Sequence, residues 1–462
     1  LFQNPNHYYI YLERKNVMRH IKKKSFLTVF VLVSSLSIIL TLSSFRSSET
    51  IFSLRVKGER LAKHIIELGA IGKNLKGVTR LAFTQADILG RNYVITRMKE
   101  AGLKVRIDPA GNILGRLDGT NQHLPAILLG SHIDTVPLGG NYDGVLGVMA
   151  AIECIQVIQE NDFQLKHPVE VIVFTNEEGG MTGSRAFIGE LKPEVLEQVS
   201  RSGLSIRNGL QKIGGNPEKL THAIRDPEKI KAYLELHIEQ GGILESKGID
   251  IGIVEGIVGI RWWDVIVQGF SNHAGTTPMG IRHDALLASA HLIIAVNEIA
   301  KLIAGDHVAT IGRIKVLPGA PNVIPGKAEM SLELRDLSTK KIDDLFTKIQ
   351  KKSKLIEKLT KTKIDFKEID IGVRPILTNV NIKHILRESA KELTLSFNNM
   401  PSGAAHDAQN IARIAPAGMI FVPSVGGISH SPNEYTHIQD LTNGTNLLLQ
   451  ALLRLDSSKS KE

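Results

Sequence analysis

A chain of 462 residues, 42% hydrophobic and 22% charged, is long enough for two or three domains with sizeable cores and too ordinary in composition for a disordered or fibrous protein. Its single cysteine, Cys154, excludes a disulfide scaffold and a thiolate zinc cluster, so any metal chemistry has to use His, Asp and Glu. The net charge of +9 is not arranged as a basic stripe with interleaved aromatics, which argues against nucleic acid as a partner.

Residues 1–50 read as an extension with a targeting or anchoring segment over about 19–45. Arg19, Lys22, Lys23 and Lys24 precede an uncharged, mostly apolar stretch from Phe26 to Leu42, at the short limit for crossing a bilayer. This predicts a signal peptide or membrane anchor with the body exported; without a working segment the body would stay cytoplasmic. From 51 to 248 the apolar runs Ala126–Leu129, Val169–Phe174 and Tyr233–Ile238 alternate with helical texture such as Val145–Ile158, the pattern of an α/β sheet with helices on its faces. The texture changes past Gly241-Gly242. Residues 249–373 follow a β-α-β-β-α-β order, a ferredoxin-like split sheet with two helices on one face, inserted into the first unit. Its second helix, rich in lysine, carries Ile342, Leu345, Phe346, Ile349 and Ile356 on one side and solvated charge on the other. The α/β texture resumes over 374–456, and 457–462 is a polar tail.

Chemistry-bearing residues cluster where predicted strands end. In Gly130-Ser131-His132-Ile133-Asp134, a period of two puts His132 and Asp134 on one side, so the carboxylate of Asp134 is expected to fix the imidazole of a metal-ligating His132. Asp143 stands on a Gly-rich turn before a helix, where it would be either a helix cap or a ligand. Glu177 and Glu178 follow the second apolar strand; one of two adjacent carboxylates can bind a cation while the other accepts protons. His237 interrupts an apolar strand, and His430 sits in a Gly-rich loop. Two divalent ions, Zn2+ or Mn2+, could share Asp143 and polarise a water and a substrate carbonyl.

Six separated segments resemble the M20 peptidase superfamily, and within it the allantoate amidohydrolase, β-ureidopropionase and N-carbamoyl-L-amino acid hydrolase group (hydantoinase/carbamoylase-type amidases). They are Gly-Ser-His-Ile-Asp-Thr-Val at 130–136, Gly-Gly-Asn-Tyr-Asp-Gly at 139–144, Asn-Glu-Glu-Gly at 176–179, Glu-Leu-His-Ile-Glu-Gln-Gly at 235–241, His-Ala-Gly-Thr-Thr-Pro-Met at 273–279 and Ser-His-Ser-Pro-Asn-Glu at 429–434. The resemblance covers about residues 55–455. It implies a zinc-peptidase-like catalytic domain with the inserted unit as lid and dimerisation domain. His132, Asp143 and His237 would hold one metal, and Asp143, Glu178 and His430 the other. Glu177 would be the general base, and His237, where the peptidases carry a carboxylate, points to the carbamoyl-amidase branch. His273, Asn322 and Arg335 match substrate-binding positions, with His273 reaching the neighbouring subunit of a homodimer. As chemistry, Arg335 can clamp a carboxylate with two parallel hydrogen bonds, while His273 and Asn322 can donate to a developing oxyanion.

Three features depart from the family pattern: a short turn, Gly179-Gly180-Met181-Thr182, where a longer loop with an Arg-Phe pair is usual; Ala405 in place of Gly; and the apolar N-terminus. The expected activity is hydrolysis of the linear ureido C–N bond of a small carboxylate, such as an N-carbamoyl-L-amino acid or allantoate, releasing CO2 and ammonia. An exported dipeptidase or aminoacylase on the same scaffold, and a metal-dependent binding protein without catalysis, are the alternatives.

Overall fold

Four runs of apolar sequence form the middle of a large sheet, and their ends decide where chemistry can sit. The computed structural model describes residues 53–369 and 373–458. The predicted segment Phe26–Leu42 lies outside the described residues, as does most of the polar tail.

In chain order the strands of the two main sheets are β1 (Lys104–Ile107), β2 (Ile113–Leu117), β3 (Ala126–His132), β4 (Val169–Phe174), β5 (Ile230–Ile238), β6 (Ile251–Ile257), β7 (Gly259–Gln268), β8 (Val308–Leu317), β9 (Lys327–Asp336), β10 (Lys363–Ile369), β11 (Ile376–Leu377), β12 (Phe397–Ser402) and β13 (Ala417–Val422). The helices used below are α1 (Val145–Glu160), α2 (Ala285–Leu302), α3 (Thr339–Thr360) and α4 (Ile438–Ser457).

The nine-stranded sheet runs β11-β6-β13-β5-β3-β4-β2-β1, with β12 also paired to β6. Its centre, β13-β5-β3-β4, is parallel. Every residue of β3, β4 and β13 is buried, as a parallel sheet covered on both faces requires. Helices α1 and α4 pack on each other and on β3 and β13, while Leu128, Ile172, Phe174, Tyr233, Met419 and Phe421 belong to a shared core.

The second sheet, β8-β9-β7-β10, is antiparallel throughout. With α2 and α3 it has the order β-α-β-β-α-β predicted from sequence. Ala288 and Leu292 of α2 and Leu345 and Ile349 of α3 join Trp263, Val265, Met330 and Leu332 in one core. The Trp263 and Phe346 rings stack at 4.2 Å. Lysines of α3 turn outward, Lys340 and Lys354 pairing with Asp344 and Glu357, so the solvated reading of that helix face holds.

The boundary of the inserted unit differs from the predicted residue 249. β6 (Ile251–Ile257) pairs with β13, β12 and β11 of the large sheet, and the second sheet begins only at Gly259. A mostly apolar segment of seven residues, interrupted by Glu255, fits either sheet by periodicity; the choice is made by partners more than a hundred residues further along, to which a local pattern is blind.

Candidate active site

The C-terminal ends of the four central strands supply the site, the usual position for ligands in an open α/β sheet. His132 is the last residue of β3, Glu177 and Glu178 follow β4, His237 lies one residue before the end of β5, and His430 is in the loop after β13. Asp143 precedes α1 without capping it: the N-cap is Gly144, and the helix start has no side-chain cap. That glycine is required, because φ is +66° and a Cβ would sit 2.4 Å from the His132 ring.

All five residues predicted to hold metal converge. Asp143 Oδ1 lies 3.1 Å from His237 Nε2 and 3.9 Å from His132 Nε2, while Oδ2 lies 2.9 Å from His430 Nε2. Glu178 Oε1 is 3.5 Å from His430 Nε2. Within each of the triads His132/Asp143/His237 and Asp143/Glu178/His430, the potential ligand atoms are within 4.8 Å of one another, and Asp143 belongs to both. Glu177 is in neither triad; its Oε2 lies 3.8 Å from His132 Nε2.

The donor set fits divalent cations. His132 Nδ1 is 3.0 Å from the Asp134 carbonyl and His237 Nδ1 is 2.9 Å from the Ile238 carbonyl. With N–H on Nδ1, each ring turns its Nε2 lone pair towards the Asp143 carboxylate, and facing acceptors need a cation or a proton between them. Burial opposes charge on His237, yet hydrogen bonding to Asp143 draws its pKa up to about 9. The Asp143 bond also draws His430 up to about 8. Burial, and then Asp143, pushes Glu178 up to about 8; burial, and then Asp407, Glu178 and Asp134, pushes Glu177 well above the carboxylate range. So many acidic groups crowded into one buried place are what a bound cation relieves.

Asp134 corrects the expectation made for it. The Asp134 carbonyl, rather than the carboxylate, accepts from His132; the nearest carboxylate oxygen is 3.9 Å away. Oδ1 and Oδ2 instead accept from the backbone amides of Glu177 and Glu178, at 3.2 Å each. Asp134 thus fixes the peptide that carries both glutamates and acts as a positioning residue. Beneath it Arg80 is wholly buried and donates to the carbonyls of Ile133, Leu68 and Ile71; burial lowers its pKa to about 10.

A cavity of about 310 Å³ opens on this cluster, at the lower end for small-molecule sites. Arg335 lines it. Its Nε and Nη2 donate to Glu333, and its Nη1 donates to the Gly403 carbonyl at 2.6 Å. One hydrogen on Nη1 and one on Nη2 are left outside these bonds, while the Nε edge is occupied. Trp262 Nε1 donates to Glu333 in turn, at 2.6 Å.

His273 and Asn322 are not among the cavity's lining residues. They adjoin one another on a small antiparallel pair, Asn272–His273 with Val323–Ile324. His273 Nδ1 accepts from the amides of Gly275 and Thr276, which leaves Nε2 as its outward atom. The Asn322 carbonyl accepts from Ala274.

Sequence reasoning gave no role to several residues. Glu434 Oε1 accepts from the amides of Tyr142 and Asp143 and its Oε2 from Ser429, tying the Asp143 turn to the His430 loop. Gln240 Nε2 donates to Asp143 Oδ2 at 3.1 Å. His406, buried against the His237 ring at 4.5 Å, lines the cavity with Nε2 at 2.9 Å from Ser402 Oγ. Glu434 stands four residues after His430 and Gln240 three after His237, and that spacing was the available signal.

A doubly covered parallel sheet with two candidate donor triads sharing one carboxylate, and a further glutamate beside them, has the parts that a metal-dependent hydrolase needs. The chain belongs to peptidase family M20/M25/M40, whose family model matches residues 128–454. It is 41% identical over 406 residues to the N-carbamoyl-L-amino acid amidohydrolase of Geobacillus stearothermophilus, covering 87% of this chain and 99% of that one. It is 35% identical over 394 residues to the allantoate amidohydrolase of Escherichia coli, covering 82% and 93%. An amidase of the hydantoinase/carbamoylase family from Burkholderia multivorans superposes with a TM-score of 0.82 at 33% identity, over 88% of this chain and 100% of that one.

Proposed function

We propose that this protein hydrolyses the ureido C–N bond of small N-carbamoyl carboxylates, with the N-carbamoyl-L-amino acids and allantoate named in its relatives as the substrate class. The observation that carries this reading is Asp143 standing between two donor triads with Glu177 beside them, in a cavity that also holds Arg335. His132, Asp143, Glu178, His237 and His430 would hold two divalent ions per chain, either Zn2+ or Mn2+, which would supply Lewis acidity towards water and the ureido carbonyl.

The protein's own groups do the rest. Arg335 receives the carboxylate and sets the ureido group over the glutamates. Glu177 removes a proton from the attacking water, and Asp134 holds the backbone that aims it. As the C–N bond breaks, Glu177 returns that proton to the leaving nitrogen. The products are the free amine and carbamate, which decomposes to CO2 and ammonia.

His273 and Asn322 are proposed as oxyanion donors, with His273 reaching the neighbouring subunit's site in a homodimer formed through the inserted unit. This is favoured by the absence of His273 from the lining of its own chain's cavity and by its unengaged Nε2. The apolar stretch Phe26–Leu42 supports an exported or membrane-anchored body, which fractionation of the expressing cell tests.

Ammonia release from N-carbamoyl-L-amino acids and allantoate, beside amine release from dipeptides, tests the activity. Turnover of dipeptides alone would overturn the reading. Metal analysis should give two ions per chain, and a chelator should abolish ammonia release until Zn2+ or Mn2+ is returned.

A further inference from the structure

We propose that Met181 selects the substrate's side chain and makes an N-carbamoyl amino acid with an unbranched apolar side chain the preferred substrate over allantoate; this rests on the ureido-acid reading above. Only Gly179, Gly180 and Met181 separate Glu178 from the helix Thr182–Phe187. The chain makes that short connection through left-handed backbone: Asn176 at φ +55°, Gly180 at +119° and Met181 at +55°. Methionine is an unfavourable residue for such a conformation, and it persists only where its surroundings impose it.

Here the surroundings do so. The amides of Gly180 and Met181 both donate to the Glu177 carbonyl, at 2.9 and 2.8 Å, and the Met181 carbonyl accepts from Arg185 at 3.0 Å. Asn176 Nδ2 closes the turn on Thr182 Oγ1 at 2.8 Å. The thioether is held as well: Asn410 Nδ2 lies 3.6 Å from Met181 Sδ while also donating to Ser184 Oγ. A half-buried methionine is thereby fixed in the cavity wall, four residues from the proposed base.

An inventory of the lining explains why an apolar group belongs there. His132, Asp143, Glu178 and His430 are claimed by metal, Glu177 by the reacting water and Arg335 by the carboxylate. Gln240 is engaged with Asp143, His406 with Ser402, and the unpartnered Gln240 Oε1 is covered from solvent. What remains is Met181, Ile260, Ala404, Ala405 and Gly180. The second ureido group of allantoate would find no side-chain donor or acceptor among these, and burying it underpaired is costly. An alkyl chain gains from the same surface. The competing feature is Arg201, an exposed cation close enough to Glu178 to favour its charged form; if it governed selection, an acidic side chain would win.

The test is kcat/KM, read by ammonia release, for the full chain with N-carbamoyl-L-norleucine, N-carbamoylglycine, N-carbamoyl-L-glutamate and allantoate. Norleucine should exceed glycine by roughly 10-fold or more, the scale of a few methylenes in an apolar pocket. Met181→Gly, which suits a positive φ and so keeps the turn, should bring that ratio to within about 3-fold of unity, and the isosteric Met181→Gln should lower it too. The proposal is overturned if Met181→Gly leaves the ratio unchanged, or if allantoate or N-carbamoyl-L-glutamate is the best substrate of the unaltered protein. Turnover of N-carbamoylglycine without side-chain preference would sink this selectivity and leave the ureido-acid activity standing; turnover of no ureido acid would sink both.

Discussion

The carboxyl edge of the large sheet and the inserted unit hold their functional residues in different ways. At the sheet edge, six predicted residues arrive on four hydrogen-bonded parallel strands or the turns next to them, so fixing the strand order fixes their mutual distances. The inserted unit has its own core and sheet, and of its three predicted residues only Arg335, at the C-terminal end of β9, lines the cavity. His273 and Asn322 are organised by a local turn. A site assembled on one rigid sheet is complete within the chain; one that borrows from a second unit depends on how units meet.

The largest effect should come from Glu177, the member of the adjacent glutamate pair that belongs to neither triad. Glu177→Gln is expected to lower kcat by about 10²- to 10⁴-fold, as for loss of a general base, while metal content stays at the unaltered level. Loss of metal along with activity would place Glu177 among the ligands and erase the division of labour between the two glutamates. Arg335→Ala should act mainly on KM, raising it roughly 10- to 100-fold for loss of charge-assisted hydrogen bonds. Glu333→Gln, which leaves one neutral acceptor oxygen for the three N–H groups of Arg335 and Trp262 that now share two charged ones, should raise KM less. Equal effects on kcat alone would mean that Arg335 does not hold the ground-state substrate. Glu434→Gln should weaken metal binding about 10- to 100-fold, seen in a metal titration, because the turn carrying Asp143 loses a charged acceptor.

The sequence made the candidate sheet-edge ligands legible because each lies at the end of a buried strand or in the turn beyond it, and the strand's apolar run is visible without partners. It misjudged Asp134 for a definable reason. The period of two was extended past His132, but β3 ends there, and beyond the strand the carboxylate turns to the amides of Glu177 and Glu178. The boundary at 249 put β6 within the inserted unit because its partners are remote in sequence, and β1 escaped notice because a short, largely exposed strand carries little periodic signal. Glu434 was in view within a motif, yet a residue that works through backbone amides has no signature of its own until the turn it braces is known.

The smallest signal tests the inserted unit most directly. Substituting His273 by Ala removes the acceptor of the Gly275 and Thr276 amides, so some loss of activity would follow from the turn alone and says little. Mixing is more informative. Glu177→Gln supplies an intact His273, and His273→Ala supplies an intact Glu177. If His273 serves the neighbouring subunit's site, a heterodimer of the two contains one site with both residues intact, and equal mixing with free exchange restores about one quarter of all sites. If His273 serves only its own chain, every site in the mixture lacks one residue or the other. The ammonia-release rate of the mixture then stays at the mean of the two variants, and the inserted unit would have to reach its own cavity by a rearrangement within one chain.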